Sequence, residues 1–206
     1  MLAQTRGIVL KTTKYGEADL IVTLLTTQGS RLQLFGRSAL KSKKRFGGGV
    51  LEPTHYIQVA YEDRRSRLGG EADLHTLREA SLVEDFPGLR TEYTRLEVAL
   101  TLLGIVARVV RHGDFGSTEI FNLLGNTLKA AETSLDLAKL RVHFEVRLLA
   151  SQGVLELDEE GSRLAGVPID QHASPEIADI DWRSIGKQSG MQVRSFLESG
   201  TVESGS

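Results

Sequence analysis

The side chains of this chain best suited to chemistry are cations. The sequence RSALKSKKRFGGGVLEP, from Arg37 to Pro53, holds five of them before its first acid: Arg37, Lys41, Lys43, Lys44 and Arg45. Because like charges repel one another and resist burial, we expect this basic loop to be solvated. Cations on a pliable loop bind a phosphate backbone without reading sequence. The alternative is a loop that only keeps the protein soluble.

Aromatic residues near these cations suggest base stacking. Phe46 precedes three glycines, where we expect no strand to bury it, so we predict that it stacks on nucleic-acid bases. Such stacking contributes roughly 1–3 kcal/mol per base. For Phe35 and Tyr56, core packing is the favoured interpretation. Further cations at a predicted turn would widen the basic surface into a groove: Arg64, Arg65 and Arg67.

The charge of the chain is unevenly placed. The formal net charge is −2 over 206 residues. Residues 1–80 nevertheless hold 13 Lys and Arg against 8 Asp and Glu, whereas the remainder holds 12 against 19. Such asymmetry indicates separate tasks, with the N-terminal part facing polyanions.

The first part of the chain has the pattern of short strands. Apolar runs and alternating residues predict five strands, at Gly7–Thr13, Asp19–Thr27, Arg31–Phe35, Thr54–Tyr61 and Arg67–Leu74. Five short strands at this spacing predict a small closed barrel or a sandwich.

From about residue 91 the pattern becomes helical. Apolar residues recur three and four apart from Leu96 to Val110, which predicts one long helix. Ser117 or Thr118 can cap a second helix, and Ser134 a third that Gly153 closes. Three such helices should pack as a bundle. We therefore expect an α+β protein with domains at 1–78, 79–153 and 154–206, the last a region of short helices ending in a frayed tail.

The sequence lacks motifs for catalysis. No Walker A motif, no GxSxG and no metal-ligand spacing among the five histidines is present. The absence of cysteine excludes thiolate metal sites. We expect no enzymatic activity, no cofactor and no metal. The longest apolar stretch, Val98–Ala107, is too short to span a bilayer, and the start lacks a signal-peptide pattern, so we expect a cytoplasmic protein without a membrane partner.

Three segments together resemble the RecO family of bacterial recombination mediators. They are GIVLKTTKYGEADLIVTLLT from Gly7, GRSALKSKKRFGGGVLEP from Gly36 and LRVHFEVRLLASQGV from Leu140. The first carries a Tyr-Gly-Glu-x-Asp turn, the second the basic loop with its Glu-Pro ending, and the third a bundle helix. The resemblance is good from Gly7 to about Val154 and poor beyond it.

The resemblance implies an N-terminal five-stranded OB-fold barrel followed by a helical domain. It implies binding to single- and double-stranded DNA, annealing of complementary strands and association with the bacterial nucleoid. The implied partners are RecR, the C-terminal tail of single-stranded DNA-binding protein and, indirectly, RecA. Many members carry a four-cysteine zinc motif after the last bundle helix, but Val154–Ser174 contains no cysteine, so a zinc site is not carried over.

The implied partner tail is acidic and ends in a hydrophobic residue with a free carboxylate. Such a ligand needs an apolar pocket with a guanidinium at its rim. We predict this site at Leu140, Arg141, Phe144 and Leu148, with ordinary helix packing beside a surface arginine as the alternative. The leading hypothesis for the chain is a DNA repair and recombination mediator that anneals strands and helps RecA loading. The alternative is an OB-fold module that binds protein or RNA and has no annealing activity.

Overall fold

The computed structural model describes residues 2–63, 74–110, 118–154 and 158–202. Its first part is a closed barrel in the strand order β1-β2-β3-β5-β4. The strands are β1 (Leu2–Tyr15), β2 (Asp19–Thr26), β3 (Arg31–Gly36), β4 (Tyr56–Glu62) and β5 (Leu74–Glu84). All neighbouring pairs are antiparallel except β3 and β5, which are parallel. The five-stranded barrel of the OB-fold is thereby confirmed.

Alternating apolar residues fill the barrel because successive side chains of a strand point to opposite faces. The interior residues of β2 and β3 include Val22, Leu24 and Leu34, each fully buried. Ile57 and Val59 of β4 join the same cluster. The alternation of polar and apolar residues in β3 and β4 therefore matches the alternating burial of these strands.

The fifth strand differs from its prediction. It runs over Leu74–Glu84, whereas the sequence placed it at Arg67–Leu74, of which residues 67–73 lie outside the described residues. β5 also continues past residue 78, where the sequence suggested a domain boundary. Most side chains of Leu77–Glu84 are exposed. The segment therefore lacks the apolar alternation by which the other strands were predicted.

The chain separates into two compact units. One comprises Met1–Phe86 with Val106–Phe121, and the other Pro87–Ile105 with Asn122–Ser206. The helices are α1 (Lys43–Phe46), α2 (Tyr93–Val109), α3 (Thr118–Ala131), α4 (Leu137–Ser151), α5 (Glu159–Gly166) and α6 (Trp182–Val202). Single 3-10 turns lie at Pro87–Arg90, Ile169–Gln171 and Pro175–Ile177. Among the described residues, none of the helices is long and apolar enough to cross a membrane.

Helix α4 is the centre of the second unit. It packs against both α5 and α6. Val146 of α4 lies in one apolar cluster with Leu164, Ile177 and Ile185. The segment after residue 153 therefore contributes core side chains to this unit. Helix α6 runs without a break from Trp182 to Val202, whereas the sequence predicted short helices and a frayed tail from Ser199. Residues 203–206 of that tail lie outside the described residues.

The predicted cap of α4 is wrong by two residues. Asp136 is the N-cap, and its Oδ1 accepts the backbone N–H of Lys139 at 3.0 Å. The Ser134 hydroxyl instead accepts the N–H of Asp136 at 3.2 Å and lies 2.8 Å from His172 Nε2. Ser134 thus joins the helix start to the C-terminal segment.

Candidate nucleic-acid interface

The basic loop of Arg37–Pro53 is folded onto the barrel. Its first turn is held by Asp19, whose Oδ1 accepts the backbone N–H of Ser38 at 2.7 Å. The N–H of Leu40 donates to the carbonyl of Ala18 at 3.0 Å. Ser38 has a φ of 54°, a strained value for a residue other than glycine. These bonds fix the start of the loop against the turn between β1 and β2.

Arg45 holds the loop together. Its Nε donates to the Ser42 hydroxyl at 3.0 Å, and its Nη2 donates to the carbonyl of Arg37 at 2.7 Å. Its guanidinium carbon also lies 4.8 Å from the centre of the Phe46 ring, within the range of a cation–π interaction. Arg45 therefore stabilises the loop, a structural role that its charge alone did not indicate.

Phe46 is not the exposed stacking residue that the sequence suggested. Its side chain is only 2% exposed and belongs to the apolar cluster of the barrel with Val9, Leu51 and Ile57. The helical turn α1 turns this side chain inward, while the backbone around it stays at the surface. The prediction failed because only strands were considered as a means of burial.

Glycines allow the chain to leave α1 tightly. Gly49 has a φ of 81°, which only glycine adopts without strain. A Cβ on Gly49 would lie 2.9 Å from Glu52 Oε1. The glycines therefore serve the turn that returns to β4.

Three cations of the loop face solvent. Arg37, Lys41 and Lys44 are exposed, and we call them the loop cations. The side chain of Lys43 lies outside the described residues, as do Arg64, Arg65 and Arg67. The structure thus brings three of the nine predicted DNA-binding residues to the surface of one ordered loop.

Sequence reasoning missed an aromatic pair on the outer face of the barrel. The rings of Tyr15 and Phe35 meet edge to face, with centroids 5.8 Å apart, and Tyr15 is 59% exposed. Ile21 of β2 lies between their strands in register with Phe35, and Lys11 is exposed on β1. The signal was the alternation of β3, which places Phe35 on the side of Arg31 and opposite the buried leucines.

Tyr56 is only partly buried, and its ring packs against another aromatic ring. Its centroid lies 5.6 Å from that of Phe121. Tyr56 thus packs against an aromatic neighbour within its own unit. The interpretation that Phe35 packs in the core is wrong, since its ring lies on the outer face of the barrel.

The predicted tail-binding residues do not form an open pocket. Leu140 and Phe144 are fully buried and Leu148 is 2% exposed. They pack the interior of the helical unit, as the alternative interpretation has it. Arg141 is exposed, and its Nε donates to Glu145 Oε1 at 2.9 Å. A period of three or four shows that a helix has an apolar face, but it does not show whether another helix covers that face.

The buried polar groups of α4 belong to its packing. Glu145 accepts a second hydrogen bond from the Ser189 hydroxyl at 2.9 Å. His143 is fully buried, and its Nε2 lies 3.0 Å from the carbonyl oxygen of Val167. Burial is the main reason that the pKa of His143 is lowered to about 4, and the nearby charge of Arg147 contributes to this decrease. The imidazole is therefore neutral at physiological pH, and its Nε2–H donates a hydrogen bond to that carbonyl.

No metal site is formed where the structure describes the chain, since none of its His, Asp and Glu side chains group in threes that could hold an ion. The sequence contains no cysteine, so the residues present do not fit the four-cysteine zinc motif of many RecO proteins.

A small closed barrel with an ordered basic loop and an aromatic pair on its outer face, followed by a helical unit, defines an OB-fold protein of α+β class. The family model "Recombination protein O N terminal" matches residues 1–86. The barrel of this chain is thus a RecO N-terminal domain.

Similar proteins agree with this assignment. The chain is 32% identical over 152 residues to "DNA repair protein RecO" of Syntrophobacter fumaroxidans, and 34% identical over 152 residues to that of Thermodesulfovibrio yellowstonii. These matches cover 74% and 73% of this chain but only 57% of each relative. A third relative, from Desulfosudis oleivorans, is 29% identical over 205 residues, covering 96% of this chain and 76% of the relative.

Proposed function

We propose that this chain binds single- and double-stranded DNA through its barrel and acts in DNA repair and recombination. The observation that carries the proposal is the start of the basic loop, with Arg37 and Lys41, which Asp19 holds at the β1–β2 turn next to the outward-facing Tyr15–Phe35 pair of an OB-fold barrel. Cations neutralise phosphates, and aromatic rings accept bases of any sequence, so the combination suits a sequence-independent DNA site. The name of the relatives, DNA repair protein, supports the biological role.

The path of the DNA follows from this arrangement. Asp19 holds the start of the loop at the β1–β2 turn, next to the end of β1 that carries Tyr15. A single strand crossing the outer face of β1, β2 and β3 would stack a base on Tyr15 and place its phosphates near Arg37 and Lys41. Duplex DNA would use the cations alone, because its bases are already stacked.

Annealing needs no covalent chemistry. Two complementary strands repel one another through their phosphates, and a basic surface that binds both lowers this repulsion so that bases can pair. We propose this annealing role, with no enzymatic activity, for the chain.

The proposed protein partners come from the family. They are RecR, the acidic C-terminal tail of single-stranded DNA-binding protein and, through that exchange, RecA. Of the predicted tail-binding residues, Arg141 is the one that presents a guanidinium at the surface, so we retain it as the contact to a carboxylate. The apolar part of that site must use side chains other than the buried ones of α4.

The alternative, an OB-fold module that binds protein or RNA and does not anneal, has one observation in its favour. Arg45 and Phe46, two of the predicted DNA-binding residues, serve the fold of the loop. The loop therefore has a structural task whether or not it contacts DNA.

The test is fluorescence anisotropy of labelled single-stranded DNA over a salt series. A variant with Arg37, Lys41 and Lys44 changed to Ala is compared with the parent chain. Each phosphate contact to a single strand contributes about 0.7 to the salt slope. Loss of three contacts should lower the slope by about 2 and the affinity at 0.1 M salt by about 100-fold.

The matched control removes three exposed cations from the helical unit: Lys129, Arg183 and Lys187. It carries the same change in net charge and should keep the affinity of the parent. Equal losses in both variants would show that net charge, and not the loop, determines binding. Absence of binding by the parent at low salt would refute the DNA proposal and favour the protein-binding alternative.

A further inference from the structure

The barrel has a concave surface away from the aromatic pair, at the opposite end of β1 from Tyr15. A cleft of about 540 Å³ opens over β1, β4 and β5, with α1 as one wall. Its lining includes Gln4, Lys44, Gln58, Ala60, Glu79 and Ser81. The cleft is separate from the outer face of β2 and β3, where Phe35 lies.

Strand register explains the shape and polarity of the cleft. Arg6, Gln58 and Ser81 lie side by side across β1, β4 and β5. In the next row along the strands, Ala60 lies between Gln4 and Glu79. The small side chain of Ala60 leaves the floor open between longer polar side chains.

The side chains of the cleft suit a nucleotide. Amides such as those of Gln4 and Gln58 both donate and accept hydrogen bonds, as the edges of nucleobases do. Arg6 Nε donates to Gln58 Oε1 at 3.2 Å, which orients this amide and places a guanidinium beside it. The exposed ammonium group of Lys44 supplies a contact for a phosphate.

The basic loop divides its cations between two faces of the barrel. Arg37 and Lys41 belong to the first turns, which Asp19 and Ala18 hold at the β1–β2 end. Lys44 belongs to α1, which packs against β5 and forms the wall of the cleft. One ordered loop thus places cations beside two separate surfaces.

We propose that the cleft over β1, β4 and β5 binds a second single strand of nucleic acid while the Tyr15–Phe35 face holds the first. This inference rests on the proposed function, since annealing requires two strands on one protein. Lys44 and Arg6 contact the phosphates, and Gln4 and Gln58 contact base edges. Glu79 opposes binding because its carboxylate repels phosphate.

The experiment counts strands on the full chain. Native mass spectrometry at low salt is performed with an oligothymidine too short to reach both surfaces. The parent should bind two strands, and the double variant Lys44→Ala/Gln58→Ala should bind one. A fluorescence-transfer assay with complementary strands should show annealing slowed about 5-fold or more, the loss expected from one phosphate contact at 0.1 M salt. The control Lys129→Ala should behave as the parent in both assays.

A gain-of-function variant guards against a folding defect in the double variant. Glu79→Gln removes an exposed negative charge from the cleft and should tighten the second strand about 5-fold at 0.1 M salt. Its first-strand affinity should not change, and its urea midpoint should match that of the parent.

The outcomes separate this inference from the proposed function. If the parent binds no strand, both fail. If it binds one strand, or if the double variant still binds two and anneals at the parental rate, the cleft proposal is overturned and DNA binding by the barrel stands. Binding of an acidic peptide is measured as well. If the peptide binds to the parent but not to Lys44→Ala, and displaces no strand, the cleft is a protein site and the proposal is wrong.

Discussion

Replacing Phe46 by Ala separates two roles for this residue. As a base-stacking residue, Phe46 would contribute to DNA affinity and little to stability. As a core residue, it contributes mainly to stability. Its 2% exposure and its place in the barrel cluster favour the second role. Truncation of a buried phenylalanine costs about 3–5 kcal/mol, because apolar contacts are lost and a cavity remains.

The magnitude can be measured by urea unfolding followed by circular dichroism. With a slope of about 2 kcal/mol per M, a loss of 3–5 kcal/mol lowers the midpoint of the barrel by about 1.5–2.5 M. Phe46→Leu, which keeps most of the apolar volume, should lose less than half of this amount.

Tyr15→Ala is the matched control. This aromatic residue is 59% exposed, so its removal should leave the urea midpoint within about 0.5 M of the parent. It should weaken single-stranded DNA binding by about 1–3 kcal/mol if a base stacks on it. A Phe46→Ala variant with unchanged stability and weakened DNA binding would refute the assignment of Phe46 to the core. A Tyr15→Ala variant with lowered stability and unchanged DNA binding would refute the stacking role of Tyr15.

Two further predictions concern Asp19 and His143. Asp19→Ala removes the acceptor of the Ser38 N–H, so it should destabilise the barrel by about 1.5–3 kcal/mol and weaken DNA binding. Asp19→Asn retains an acceptor oxygen and should lose less stability. Equal urea midpoints for Asp19→Ala and the parent would contradict the role of this bond. The pKa of His143 lies at about 4 in the folded state, below the usual histidine value of 6.5, so the unfolded chain binds more protons between these two pH values. Stability should therefore be fully present above pH 6.5 and decrease as pH falls towards 4, by on the order of 3 kcal/mol in total. His143→Gln should flatten this dependence in urea titrations at several pH values, and an unchanged pH profile in that variant would assign the dependence to other groups.

Sequence patterns predicted most of the barrel because its strands obey a local rule. Leu32 and Leu34 alternate with polar residues, and a strand with one buried face must show this period. The same alternation predicts that Phe35 lies on the outer face, although an aromatic side chain by itself favours the core. For this residue the period was a better guide than hydrophobicity.

In the helical part, periodicity predicts which helix face is apolar but not what covers it. The spacing of Leu140, Phe144 and Leu148 correctly indicated an apolar helix face. Whether such a face is covered depends on segments distant in sequence, and all three of these side chains are buried. The prediction of an open pocket failed for this reason.

The sequence by itself determined the family, the barrel followed by helices and the concentration of cations in one loop, because these depend on residue order and local period. The tertiary structure alone decided which loop residues face solvent. A four-residue helix directs Phe46 into the barrel, Arg45 bonds to the loop backbone, and Asp19 fixes the first turn from 19 residues away. These contacts join residues that are distant in sequence or separated by a turn, so no local pattern specifies them.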